Sequence, residues 1–97
     1  MNLNQNEVDE ISITEQMVPA TYRRVGSSYG FATVFGLDKD IFVHITNLPK
    51  DGERVIWPKN GGRIKVRYGK RRANPAQLAA VEVEVIDRKE IKEKVAA

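Results

Sequence analysis

Two stretches carry residue types that could do chemistry: Tyr29-Gly30-Phe31-Ala32-Thr33-Val34 and, after a short connection, Asp40-Ile41-Phe42-Val43-His44-Ile45. Side chains of a strand alternate between faces. A period of two therefore puts Tyr29, Phe31 and Thr33 on one side of the first stretch, and Phe42 and His44 on one side of the second. Gly30, Ala32, Val34, Ile41, Val43 and Ile45 fall on the other side and form a core face. Four flat rings are left where a soluble sheet normally carries polar groups. The chemistry of such a surface is stacking, on a partner that also has flat faces.

Covalent and acid–base chemistry find no comparable support. Ser27 and Ser28 lack a readable base and oxyanion site, and read as turn residues. Asp38 and Asp40 flank Lys39 in a hairpin tip, which offers no cleft to separate their pKa values. His44 is the single histidine and cysteine is absent, so no zinc set can be assembled. No phosphate-cradling glycine loop or oriented triad is found. The sequence reads as a protein that is not an enzyme, with no cofactor and no metal.

The rings must be brought together by their surroundings. Phe35-Gly36-Leu37-Asp38-Lys39 has turn chemistry, so the two stretches are expected to pair as an antiparallel hairpin. Before it, residues 21–25 read as a strand with Tyr22 and Arg24 on one face and Arg23 and Val25 on the other, followed by the turn Gly26-Ser27-Ser28. After it comes a long connection, residues 46–62, in which Leu48 and Ile56 are expected to plug the core. Trp57 in that connection has two readings, core packing or a further stacking ring.

Residues 63–68 alternate cleanly, Arg63, Lys65 and Arg67 outward and Ile64, Val66 and Tyr68 inward. The loop 69–75 follows with Lys70, Arg71 and Arg72. Residues 77–86 close the set, with Val81, Val83 and Val85 inward and Glu82 and Glu84 outward. Asp87, with Glu90 three residues on, reads as the cap of a short helix over 88–95.

Charge is distributed unevenly under the net value of +3. Residues 1–18 carry four acids and no base, residues 19–86 carry twelve bases against six acids, and residues 87–97 are close to neutral. The expected organisation is a flexible acidic segment (1–18), one β domain (19–86) and a helical extension (87–97). The acidic segment has three readings: a solvated tail, a strip that competes with nucleic acid for the basic face, or a handle for another protein. A basic domain with exposed rings implies a polyanion with flat faces, which describes single-stranded nucleic acid better than lipid. With no cysteine and no apolar run of signal or membrane-span length, the chain reads as cytoplasmic and soluble, with no membrane partner.

Tyr29-Gly30-Phe31 and Phe42-Val43-His44, with Asp40 eleven residues after Tyr29, resemble the two ribonucleoprotein-type motifs of the cold-shock domain family. Tyr22, seven residues before Tyr29, matches the position of a Trp in the family's first strand, and Pro75-Ala76-Gln77 resembles its Gly-Pro-Gln segment. The resemblance spans residues 20–86. Ser27 stands where the family has a Lys, Arg23 where it has a second ring, and Ile45 where it has a Phe.

The resemblance implies an all-β, five-stranded antiparallel barrel of the oligonucleotide-binding kind. It implies that Tyr22, Tyr29, Phe31, Phe42 and His44 stack on unpaired bases of RNA or single-stranded DNA. Arg24, Lys39, Lys70, Arg71 and Arg72 would then meet phosphates, and Asp40 and Gln77 would make polar contacts. Melting of RNA structure, with effects on transcription or translation, is the implied role. The alternative is an adaptor that keeps the barrel and uses its terminal extensions to bind a protein of the transcription, translation or nuclease machinery.

Overall fold

The computed structural model describes residues 7–89. Five strands close into a barrel in the order β1 (Val18–Arg24), β2 (Tyr29–Thr33), β3 (Ile41–His44), β7 (Leu78–Val85) and β6 (Arg63–Lys70). The long connection holds a separate small hairpin, β4 (Lys50–Asp51) with β5 (Arg54–Val55).

The sequence leads to an antiparallel barrel, and the structure corrects this to a mixed one. β3 and β7 run parallel, with Ile41 opposite Leu78 and Phe42 opposite Ala79. Parity is the reason: strand directions can alternate all the way round only in an even-numbered ring. Five strands force one parallel pair.

The period-two pattern builds the interior. Ala20, Tyr22, Ala32, Ile41, Val43, Ile64, Val66, Ala80 and Val83 point inward, and Leu48 closes one end. From the long connection Val55 and Trp57 pack against this core, so the inward parity there is one residue off the expected Ile56. In β7 the expected Val81 is also displaced. A register shift leaves Arg67 opposite Glu82 but Tyr68 opposite Ala80. Val81 has no partner at that bulge, and Ala80 takes the core position.

The N-terminal segment is not a free tail over residues 7–18. Val8 is completely buried, and a 3₁₀ turn, Glu10–Ser12, is capped by the Asp9 side chain. The segment runs along the last part of β6. Thr14 N–H donates to the Tyr68 carbonyl (2.9 Å), Asp9 N–H to the Lys70 carbonyl (2.8 Å) and Arg72 N–H to the Glu7 carbonyl (3.0 Å). Ser12 Oγ accepts the Lys70 N–H at 2.8 Å. Gly69 makes the seat, because a Cβ there would come within 2.7 Å of Val8 Cγ1. β1 accordingly starts at Val18, with Pro19 opposite Lys65. Its pairing with β2 begins only at Thr21, so the missing Pro19 N–H leaves no gap in a ladder.

At the other end, the helix expected from residue 88 does not begin. Arg88 bridges to Pro58, and Lys89 N–H donates to the Trp57 carbonyl at 2.8 Å, so the chain is paired where the helix should start. The rest of that expectation, residues 90–97, lies outside the described residues. Asp87 does not cap a helix. Its carboxylate accepts Arg63 Nε (3.0 Å), Nη2 (3.2 Å) and backbone N–H (2.9 Å). These bonds lower its pKa to about 2. No helix among the described residues is long and apolar enough to cross a membrane.

Candidate functional site

The β2–β3 register places Tyr29 opposite His44 and Phe31 opposite Phe42, with Gly30, Ala32, Ile41 and Val43 turned into the barrel. The four rings therefore meet on the outer surface, each half-buried by its neighbours. Phe42 is the hub: its centroid is 5.6 Å from Tyr29, 5.8 Å from Phe31 and 6.3 Å from His44. Tyr29 and Phe31 meet nearly perpendicular at 6.1 Å. Perpendicular and tilted contacts are favourable for aromatic pairs, and they hold each ring in place while one side stays open.

His44 is fixed by the chain that follows it. It caps the 3₁₀ turn Ile45–Asn47, its Nδ1 accepting the Thr46 N–H at 3.2 Å and its own N–H donating to Asn47 Oδ1 at 3.0 Å. Accepting at Nδ1 places the proton of the neutral ring on Nε2. His44 thus offers a face and a donor together.

The cations expected around the rings divide into two groups. Arg71 belongs to the site: its guanidinium carbon is 5.6 Å from the Phe42 centroid, within cation–π range. Gln77 holds it there, Oε1 accepting Arg71 Nη1 and the Gln77 carbonyl accepting Arg71 N–H, both at 3.0 Å. Lys39 and Lys70 are exposed, one in the β2–β3 connection and the other at the end of β6. Arg72 is drawn elsewhere, its Nε donating to the Val8 carbonyl at 3.3 Å.

Arg24 also leaves the site. It lies 4.0 Å from the centroid of the Trp57 ring, and its Nε donates to the Gly26 carbonyl at 3.1 Å. Trp57 is thereby accounted for as a core residue with a guanidinium on its outer face.

Tyr22 is the largest correction. It is completely buried, inside the barrel instead of on its surface, and cannot stack on an external ring. Its face was legible from the alternation that it shares with Ala20. What put it on the surface was the family position of a Trp.

The outer-face residue of β1 is Arg23, directly opposite Phe31 and absent from the expected set. Its Nη2 stands 3.7 Å from Asp40 Oδ2, while Thr33 Oγ1 donates to Asp40 Oδ1 at 3.2 Å. The strand alternation that turns Tyr22 in would have turned Arg23 out. Asp40, Tyr29, Phe31, Phe42, Arg71 and Gln77 line a groove of about 430 Å³. Its floor is aromatic, its rim carries a carboxylate, a carboxamide and a guanidinium, and it can hold a flat polar ring system.

Among the described residues no three metal-capable side chains come together. Comparison with protein-family models, curated proteins and solved structures found no match for the chain.

Proposed function

We propose that the protein binds single-stranded nucleic acid, RNA or DNA, through the outer face of β2 and β3, as a divergent module of cold-shock type on an oligonucleotide-binding barrel. The observation that carries this reading is the contact cluster of Tyr29, Phe31, Phe42 and His44 with the Arg71 guanidinium beside it. Every base has a π-face, so stacking of this kind tolerates sequence, and each base stacked is worth roughly 1–3 kcal/mol. Arg23, Lys39, Lys70 and Arg71 screen phosphates. A strand held with its bases on protein rings is withheld from base pairing, which is how an RNA chaperone or a regulator of transcription or translation acts. A chain without cysteine suits the cytoplasm as the place of work.

The adaptor reading rests on Arg23 and Ile45 standing in place of rings, on the acidic segment and on the C-terminal extension. Residues 7–14 are bonded to β6, so of these grounds the acidic segment is engaged within the molecule. The test is anisotropy of labelled unstructured RNA and DNA over a salt series, for the wild type and for Phe31→Ala with Phe42→Ala. Four screened phosphates give a log–log slope near −3, at ~0.7 per contact for single strands. Binding with that slope, lost in a folded double variant, is the expected result. A folded wild type that binds no strand at low salt overturns the reading.

A further inference from the structure

Phe35 is fully solvent-exposed, at 103 % of the reference area, and it is the largest apolar side chain left so among the described residues. It sits in the connection between the two ring-bearing strands. Val34 carbonyl accepts the Leu37 N–H at 3.0 Å, and Gly36 takes φ +86°, which makes a tight turn with Phe35 at its first central position. Val34 and Leu37 both pack against the core. The turn is thus pinned on both sides, and Phe35 is held off the barrel. Nothing in the turn requires an aromatic, because Gly36 supplies the positive φ and the flanking residues supply the anchors.

The position continues the surface already described. Residues 29, 31, 33 and 35 recur at a spacing of two, and successive rows advance about 7 Å. The rows are Tyr29 with His44, Phe31 with Phe42, and Thr33 beside Asp40, joined by their hydrogen bond. Phe35 follows two residues after Thr33, past the end of β2 and in the turn. Lys39 lies in the same connection, and Arg23 flanks the third row through Asp40.

We infer that Phe35 is a further stacking ring for the same nucleic-acid strand, which lies lengthwise along β2 and β3 and places one base on Phe35 beyond the polar Thr33–Asp40 row. This rests on the proposed function and adds to it the direction and length of the site. It commits to a nucleobase as the occupant, because the exposed ring comes two residues beyond the stacking strand and shares its connection with Lys39.

The experiment measures affinity against length, with oligo-uridylate and oligo-thymidylate probes lengthened one nucleotide at a time. The expected result is equal binding of short probes by wild type and Phe35→Ala, and about five- to a hundredfold weaker binding of long probes by Phe35→Ala, the loss of one base stack. Phe35→Trp restores the long-probe affinity, and long probes alone quench its fluorescence. Equal affinity of Phe35→Ala and wild type at every length, with Phe31→Ala still impaired, overturns the inference and leaves the function standing. A wild type that binds no probe overturns both. Attachment of the wild type to anionic vesicles, lost in Phe35→Ala while oligonucleotide binding is unchanged, assigns the ring to a membrane and overturns the inference.

Discussion

The Tyr22 hydroxyl occupies space that exists only because residue 30 is glycine: a Cβ on Gly30 would lie 2.5 Å from Tyr22 Oη and 2.5 Å from the Arg23 carbonyl. The small residue in β2 lets the large one in β1 turn inward. The hydroxyl is also buried among the described residues without a hydrogen-bond partner.

Gly30→Ala should therefore destabilise the fold by about 1–3 kcal/mol, the range for overpacking a filled core. Tyr22→Phe should match or exceed wild-type stability, by up to about 1 kcal/mol, because it removes an unpaired buried group and keeps the ring. Burial raises the Tyr22 pKa from its ordinary value of 10.0, so the fold resists ionisation of the hydroxyl and wild-type stability falls as pH rises past that value, a fall that Tyr22→Phe should lack. Urea unfolding at neutral and alkaline pH checks both statements, and oligonucleotide affinity should not change in Tyr22→Phe.

Arg71 and Arg24 should behave in opposite ways. Arg71→Ala removes the guanidinium beside Phe42 and should lower oligonucleotide affinity, making the salt slope shallower by ~0.7. Arg24→Ala uncovers Trp57 and frees the Gly26 carbonyl, and should lower stability by about 1 kcal/mol with affinity held. Salt titrations beside melting curves separate the two.

Docking of the N-terminal segment depends on Val8 and Gly69. Val8→Asp puts a charge into a completely buried site, and Gly69→Ala fills the space that Val8 Cγ1 uses. Either should release residues 7–14. Amide exchange at Asp9 and Thr14, whose protons sit on the Lys70 and Tyr68 carbonyls, should then become fast while the core amides of β1 to β3 stay protected.

Asp87 gives an acid-side test. The side-chain and backbone hydrogen bonds from Arg63 lower the Asp87 pKa from 3.8 to about 2 in the fold. The ionised form is favoured by folding, so the stabilisation is complete above about pH 4 and disappears as pH falls to about 2. Melting temperature measured over that window should fall less steeply in Asp87→Asn, which starts lower at neutral pH.

The β2–β3 pair was legible in the residues because two signals coincided there. Alternation sorted Phe31 from Ala32 and Phe42 from Val43, and Gly36 marked the turn between them. Ile64 and Val66 followed from the same rule. The failures arose where a second constraint overrode the local pattern. Val81 lost its inward place to a bulge whose cause lies in the partner strand. The direction of β3 against β7 is a property of the ring and of no strand by itself. Val8 reads as polar-tail sequence until Gly69, far along the chain, supplies its seat. In the site, the alternation of Ala20, Tyr22 and Arg23 turns Tyr22 in and Arg23 out, the reverse of what the family position of a Trp implies.

The segment over β6 also bears on the exposure of a sheet edge. Tyr68, Lys70 and Arg72 direct their backbone groups away from β7, and residues 7–14 receive them. Stripped of that cover, β6 would present alternating donors and acceptors as an open edge, the template onto which another chain adds a strand. Residues 7–14 thus cover an edge that would otherwise be open, and their release should show as self-association before any loss of the barrel.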